Sequence, residues 1–79
     1  MKPEEAFGLI LKNVRTSKGV SQEKLALSCN LDRTFISMLE RGQRQPTLTS
    51  ILALSKSLEI SADQLIKLTI ELIHENTQN

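Results

Sequence analysis

Apolar residues recur along the chain at the spacing of amphipathic helices. The first segment carries four of them at i, i+3, i+4 and i+7, namely Phe7, Ile10, Leu11 and Val14. This spacing places the four side chains on one face of a helix. Because proline suits a first helical position and glycine suits a helix stop, we predict a first helix from Pro3 or Glu4 to about Lys18, ended by Gly19.

Capping residues divide the next part of the chain into three more helices. Ser21 is the predicted N-cap of a second helix that runs to about Ser28, and Asp32 caps a third that stops at Gly42. A polar loop then leads to Thr47, the predicted N-cap of a fourth helix. The residues predicted to form the inner stripe of this fourth helix are Ile51, Leu52, Leu54, Ser55 and Leu58.

The fifth helix has a wider apolar face than a single core requires. It opens with Ser61 and Gln64 at the spacing of a capping box and is predicted to reach His74 or Glu75, with residues 76–79 frayed. Its apolar residues cover an arc of roughly 200°, about twice the stripe of an ordinary surface helix. We therefore expect residues 61–75 to serve dimerisation as well, through Ile66, Leu68, Ile70, Leu72 and Ile73. The alternative is that helix one covers the whole arc.

Length and composition limit the class of protein. Seventy-nine residues predict one domain, residues 1–79, and 39% hydrophobic with 24% charged residues is typical of a folded chain. The single cysteine, Cys29, excludes an internal disulfide and a cysteine-based zinc site, so oligomerisation is the expected support for so small a fold. One histidine and one cysteine leave no nucleophile–base pair. We therefore predict no enzyme, no metal and no cofactor.

The sequence also indicates where in the cell the protein works and how its charge is distributed. No apolar run approaches the roughly 20 residues that span a bilayer, and the start of the chain lacks the layout of a secretory signal. We expect a cytoplasmic protein without a membrane partner, and nothing in the sequence argues for a small-molecule ligand. The net charge is only +1, yet residues 12–45 carry seven basic and three acidic side chains, a net +4. This asymmetry favours a surface that faces a polyanion.

Helices two and three have the arrangement of a helix-turn-helix. They are short, and the tight turn between them contains Asn30, a residue type that accepts a positive φ. Ala26 is small where helix three would cross helix two. Ile36 and Leu39 would anchor helix three by one face, which leaves its start and outer side free to enter a DNA major groove.

Residues 21–46 carry a resemblance to a known family. The stretch SQEKLALSCNLDRTFISMLERGQRQP resembles the Cro/repressor (XRE-type) helix-turn-helix family, and its N-L-D-R-T-F-I-S and E-R-G are similar to the controller proteins of restriction-modification systems. The resemblance implies an all-α, compact, five-helix, lambda-repressor-like DNA-binding domain. It also implies an internal ion pair between Arg15 and Glu40. Asn30 and Glu59 depart from the family, which often has glycine at both turns.

The helix-turn-helix geometry assigns DNA contacts to the start and outer side of helix three and to its flanks. The side chains expected to contact base edges are Arg33, Thr34, Phe35 and Met38. Those expected to contact the DNA backbone are Gln22, Ser37, Arg41, Arg44, Gln45, Thr47 and Thr49. Some have plainer alternatives: Phe35 packs partly against helix two, Arg41 and Arg44 act as solubilising charges, and Thr47 serves as a cap.

The resulting functional hypothesis is a sequence-specific transcriptional regulator that binds double-stranded DNA. It would act as a homodimer on an inverted-repeat operator, and its resemblance to the controller proteins implies a role in a restriction-modification system. The alternative is a helical protein-interaction module, such as the antitoxin-like partner of another protein. Salt-dependent DNA affinity separates the two hypotheses.

Overall fold

The computed structural model describes residues 1–77, which form five α-helices and no strand. The helices are α1 (Pro3–Ser17), α2 (Gln22–Cys29), α3 (Arg33–Glu40), α4 (Leu48–Leu58) and α5 (Ala62–Thr77). The predicted all-α class with five helices is confirmed. No helix in this part of the chain is long and apolar enough to cross a membrane.

Side-chain caps set the starts of α2 to α5, as the sequence predicts. The side chains that accept a hydrogen bond from a first-turn amide are those of Ser21, Asp32, Thr47 and Ser61. At α4 the cap is reciprocal, because Thr47 Oγ1 accepts from the Ser50 amide at 3.0 Å and Ser50 Oγ accepts from the Thr47 amide at 2.9 Å. These local bonds satisfy amides that a helix start leaves without an intrahelical partner.

Two turns contain non-glycine residues in the left-handed region. Asn30, after α2, has φ 56° and ψ 41°, which confirms the predicted turn of the helix-turn-helix. Glu59, after α4, has φ 54° and ψ 43°. The left-handed conformation costs a residue with a Cβ roughly 1–2 kcal/mol, although asparagine tolerates it better than glutamate.

The core is aliphatic with a single buried aromatic side chain. Its buried cluster consists of Phe7, Leu11, Leu25, Ala26, Ile36, Leu39, Leu54 and Leu58. Helix α1 packs against both α3 and α5. Gly8 permits the crossing of α1 and α3, because a Cβ at Gly8 would overlap the backbone carbonyl oxygen of Leu39.

Two sequence-based expectations were wrong. Leu52 was placed on the inner stripe of α4, but its side chain is 52% exposed. At about 100° per residue Leu52 lies nearly opposite the fully buried Leu54, so both cannot face one core. The other error concerns the end of α5, which continues past Glu75 to Thr77 instead of fraying from residue 76. The expectation of fraying at residues 78–79 lies outside the described residues.

Candidate nucleic-acid interface

The first turn of α3 presents two of the predicted base-contact residues to solvent. Arg33 and Thr34 are both exposed, and the Asp32 carboxylate accepts from the Thr34 amide at 3.1 Å. On the opposite side of the helix, Ile36 and Leu39 are fully buried. Because the inner face is held by apolar packing and the start by a cap, α3 offers its outer side as a fixed surface.

The other two predicted base-contact residues are less accessible. Met38 is half-buried, and so is Phe35, which packs against the core cluster. Phe35 lies one turn before the fully buried Leu39, and residues four apart share a helix face. The alternative of partial burial therefore describes this side chain, and a base contact by the part of Phe35 that stays accessible remains a prediction.

The loop after α3 brings further polar side chains to the same end of the molecule. Arg41 and Arg44 are exposed, and Arg41 Nε donates to the Ser37 carbonyl at 3.3 Å, which lays its side chain back along α3. Gly42 has φ +72°, and a Cβ there would lie 3.0 Å from the Cα of Glu5. The loop therefore packs closely against the start of α1 at Gly42.

The polar residues beyond this loop differ in how freely they face solvent. Gln45, Thr47 and Thr49 are exposed, whereas Ser37 and Gln22 are half-buried. Thr47 keeps its capping role while remaining exposed, so capping and phosphate contact are compatible there. The structure thus places the predicted backbone-contact residues on α2, on α3, on the segment that joins α3 to α4, and on the first turn of α4.

A buried ion pair lies behind this surface. Arg15 Nε donates to Glu40 Oε2 at 2.5 Å and Arg15 Nη2 donates to Glu40 Oε1 at 3.0 Å, which is the pair that the family resemblance implies. Arg15 Nη1 also donates to the Val20 carbonyl at 2.8 Å. The hydrogen bonds that Arg15 donates to Glu40 raise the pKa of the Arg15 guanidinium; burial opposes this rise, and the negative charge of Glu40 adds to it. The negative charge of Glu40 is thus paired with Arg15 inside the fold.

Sequence reasoning missed one member of this network. Gln22 Nε2 donates to Glu40 Oε1 at 3.0 Å, which joins the first residue of α2 to the last residue of α3. The two residues are 18 positions apart, and nothing in the local pattern around either one indicates the bond. The network therefore connects α1, α2 and α3 immediately behind the exposed polar surface.

The predicted dimer residues of α5 fall into two groups. Leu68, Leu72 and Ile73 are half-buried, whereas Ile66 and Ile70 are 38% and 45% exposed. We call this exposed pair the α5 shoulder. Helix α1 packs along α5 but does not cover the α5 shoulder, so the alternative in which helix one covers the whole apolar arc is wrong.

The α5 shoulder continues into a groove between helices. Ile66 borders a cavity of about 400 Å³ together with Phe7 of α1, Ile51 of α4 and Pro46 of the preceding loop. Through this groove the apolar surface of the α5 shoulder extends from α5 to Ile51 of α4.

Comparisons with known proteins agree with this geometry. The Helix-turn-helix family model matches residues 11–65. Control protein C.BamHI of Bacillus amyloliquefaciens is 44% identical over 64 residues, which cover 80% of this chain and 79% of that protein.

Two solved structures share both sequence and fold with the chain. The restriction-modification controller protein C.AhdI from Aeromonas hydrophila matches with a TM-score of 0.77 and 44% identity, covering 78% of this chain and 94% of that one. The controller protein C.Esp1396I, as a tetramer in complex with its natural 35 base-pair operator, matches with a TM-score of 0.80 and 35% identity. That match covers 90% of this chain and 93% of the other.

Proposed function

The chain belongs to the helix-turn-helix family of XRE type, and on this basis we propose that it is a sequence-specific DNA-binding transcriptional regulator, a controller of a restriction-modification system. The observation that carries the proposal is the construction of α3, whose polar first turn is exposed while Ile36 and Leu39 are fully buried. A similar protein has been solved with its operator DNA, which supports the same kind of partner here.

In this proposal α3 reads bases with its first turn. Arg33 donates to guanine in the major groove, a bidentate contact that discriminates by about 1–3 kcal/mol. Thr34 lies beside it and offers a hydroxyl and a methyl group. Met38 lies one helical turn after Thr34, and the accessible part of its side chain contacts a thymine methyl group. Phe35 contributes at most the edge that packing leaves free, so its main role is to seat α3 on the core.

The DNA backbone is contacted from both sides of α3. The residues proposed for this role are Gln22, Ser37, Arg41, Arg44, Gln45, Thr47 and Thr49. Three exposed cations lie on α3 and on the segment after it, namely Arg33, Arg41 and Arg44. Glu40 does not offset their charge, because it is buried and paired with Arg15. Net positive charge near DNA strengthens binding and makes it depend on salt.

A second copy of the chain is proposed to cover the α5 shoulder. A two-fold dimer of helix-turn-helix domains places two recognition helices about 34 Å apart, so it reads two inverted half-sites. We call the exposed side of α3 with Arg33 and Thr34 the α3 surface. The α5 shoulder consists of other residues, so a second copy can bind there while DNA binds the α3 surface. As a partner of DNA the protein would work in the cytoplasm of a bacterium, and we propose no catalytic role.

Selection from random double-stranded DNA tests this function. The purified protein is incubated with the DNA at about 150 mM salt, near physiological ionic strength, and the retained fragments are sequenced. We expect an inverted repeat with half-sites about one helical turn apart. The Arg33→Ala variant should lose a base preference in each half-site, whereas the control Lys56→Ala, on the exposed end of α4, should not.

Two other outcomes would contradict the proposal in different ways. Retention without an enriched sequence would mean non-specific binding and would remove Arg33 and Thr34 from the base-reading role. No retention by a folded protein would replace the proposal with the interaction-module alternative.

A further inference from the structure

The carboxylate of Glu40 receives more hydrogen bonds than its ion pair requires. Arg15 already gives it two, and the third comes from Gln22, the first residue of α2. Glu40 is 7% exposed and Arg15 is 9% exposed, whereas Gln22 is half-buried and reaches towards solvent. The bond from Gln22 is therefore the link between the buried pair and the surface.

This link determines which atoms of Gln22 remain available. A carboxylate only accepts hydrogen bonds, so the amide nitrogen of Gln22 must face Glu40. That nitrogen carries two hydrogens, of which Glu40 takes one. Phosphate oxygens also only accept, so the second hydrogen of the same nitrogen is the group that a DNA phosphate can use.

We propose that Glu40 is a positioning residue, which holds the Gln22 amide in the orientation that donates to a DNA phosphate. The proposal rests on the proposed function. Without Glu40, the Gln22 side chain would populate several rotamers and would have to be ordered on binding, which weakens the contact. Arg15 acts one step further back, because its two hydrogen bonds and the one to the Val20 carbonyl hold the Glu40 carboxylate in place.

The chain offers a matched pair of backgrounds for a test. Arg15→Met with Glu40→Leu removes both charges together and also removes the acceptor for Gln22. Arg15→Met with Glu40→Gln removes the same charges but keeps a carbonyl oxygen that can accept from Gln22. Neither background leaves one buried charge without its partner, which is the costly way to break an ion pair.

Gln22→Ala is then compared in the wild type and in both backgrounds. The probes are a duplex recovered in the selection and an unrelated duplex of equal length, because a phosphate contact acts on both. We expect Gln22→Ala to weaken binding about tenfold in the wild type and in the Glu40→Gln background, but less than about twofold in the Glu40→Leu background. Thr49→Ala, a second phosphate candidate, should cost the same factor in all three.

The outcomes separate this proposal from the proposed function. An equal loss from Gln22→Ala in all three backgrounds would overturn the positioning role of Glu40. So would the absence of any loss in the wild type, even where that protein selects a sequence. If the wild type binds both duplexes equally, sequence-specific regulation is wrong, yet the comparison on the unrelated duplex still decides the role of Glu40.

A second measurement uses only the free wild-type protein and so does not depend on the folding of any variant. The relaxation order parameter of the Gln22 side-chain nitrogen should exceed about 0.6 before DNA is added, because Glu40 already holds the amide. A value in the range of freely moving side chains would overturn the proposal.

Discussion

The α3 surface and the α5 shoulder are both exposed, but they are built in opposite ways. On α3, the polar residues Arg33 and Thr34 face solvent above fully buried apolar residues. On α5, Leu65 is fully buried, yet Ile66 beside it and Ile70 one turn later remain exposed. The polar groups of the first surface are hydrated in water and can bind a charged partner. The apolar side chains of the second are stabilised by contact with any apolar surface that removes them from water.

The two regions also differ in how they are attached to the rest of the fold. Behind α3, the network of Arg15, Glu40 and Gln22 adds directional bonds between three helices. On α5, the side chains of Thr69, Asn76 and Thr77 donate hydrogen bonds to carbonyl groups of α5 itself. These side-chain bonds therefore do not link α5 to α1. Hydrogen bonds are directional, so they suit a surface that must present donors at defined positions. Apolar packing suits a surface whose partner is bound through the apolar area that the contact removes from water.

The largest effect is expected where both regions share support, at the crossing of α1. Gly8→Ala would push α1 away from the Leu39 carbonyl, so we expect the free energy of unfolding to fall by about 3 kcal/mol. Chemical denaturation measures the change. Gly19→Ala is the control, because a Cβ there meets nothing within 4 Å and only the left-handed backbone costs about 1 kcal/mol. Equal losses for the two variants would show that the crossing has room to adjust.

The α5 shoulder alone should respond to a charge at its centre. Ile70→Lys removes apolar burial in both copies of the proposed dimer, so we expect the dimer dissociation constant to rise about a hundredfold. Sedimentation equilibrium measures it. The control is Leu27→Lys on α2, where an even more exposed leucine lies away from α5 and should leave association unchanged. A monomeric wild type, or an unchanged constant for Ile70→Lys, would remove the α5 shoulder from the interface.

Two substitutions near α3 should distinguish a base contact from a contact with the DNA backbone. Arg33→Ala is expected to cost about 2 kcal/mol on the selected duplex and little on an unrelated one, because it removes a base contact. Arg44→Ala should weaken both duplexes alike and reduce the salt dependence by about one phosphate contact. Titrations at several salt concentrations distinguish them. Identical behaviour of the two variants would contradict the division of roles.

The smallest effect concerns a turn that serves neither surface directly. Glu59→Gly should raise the free energy of unfolding by about 1 kcal/mol, because glycine adopts φ 54° without a Cβ penalty. Asn30→Gly, at nearly the same backbone angles, should change stability less, since asparagine tolerates this region. Thermal unfolding of both variants checks the order. A larger gain at Asn30 would mean that residue type does not set the cost of these turns.

Much of the secondary structure could be predicted from single residues and their near neighbours. Ser21, Asp32, Thr47 and Ser61 cap the helices that follow them, because a cap involves a side chain and an amide only two or three residues apart. The left-handed turn at Asn30 was predicted for the same reason. The motif of α2 and α3 also sufficed to recognise the family, which the comparisons show.

Burial was predicted less well, because it depends on what lies opposite each residue. Leu52 was placed on the wrong side from the pattern within its own helix, and the pattern in α3 left the burial of Phe35 open. The sequence did not indicate that Gly8 lies where α1 crosses the backbone of α3, nor which part of the wide apolar arc of α5 would stay uncovered.

The sequence by itself thus determined where the helices begin, how the turns are made and which family the chain joins, since these depend on interactions over a few residues. Only the tertiary structure decided which apolar residues stay exposed and that Gln22 meets Glu40. The physical reason is that both are settled by contacts between helices distant in the sequence, and no periodicity within one helix encodes them.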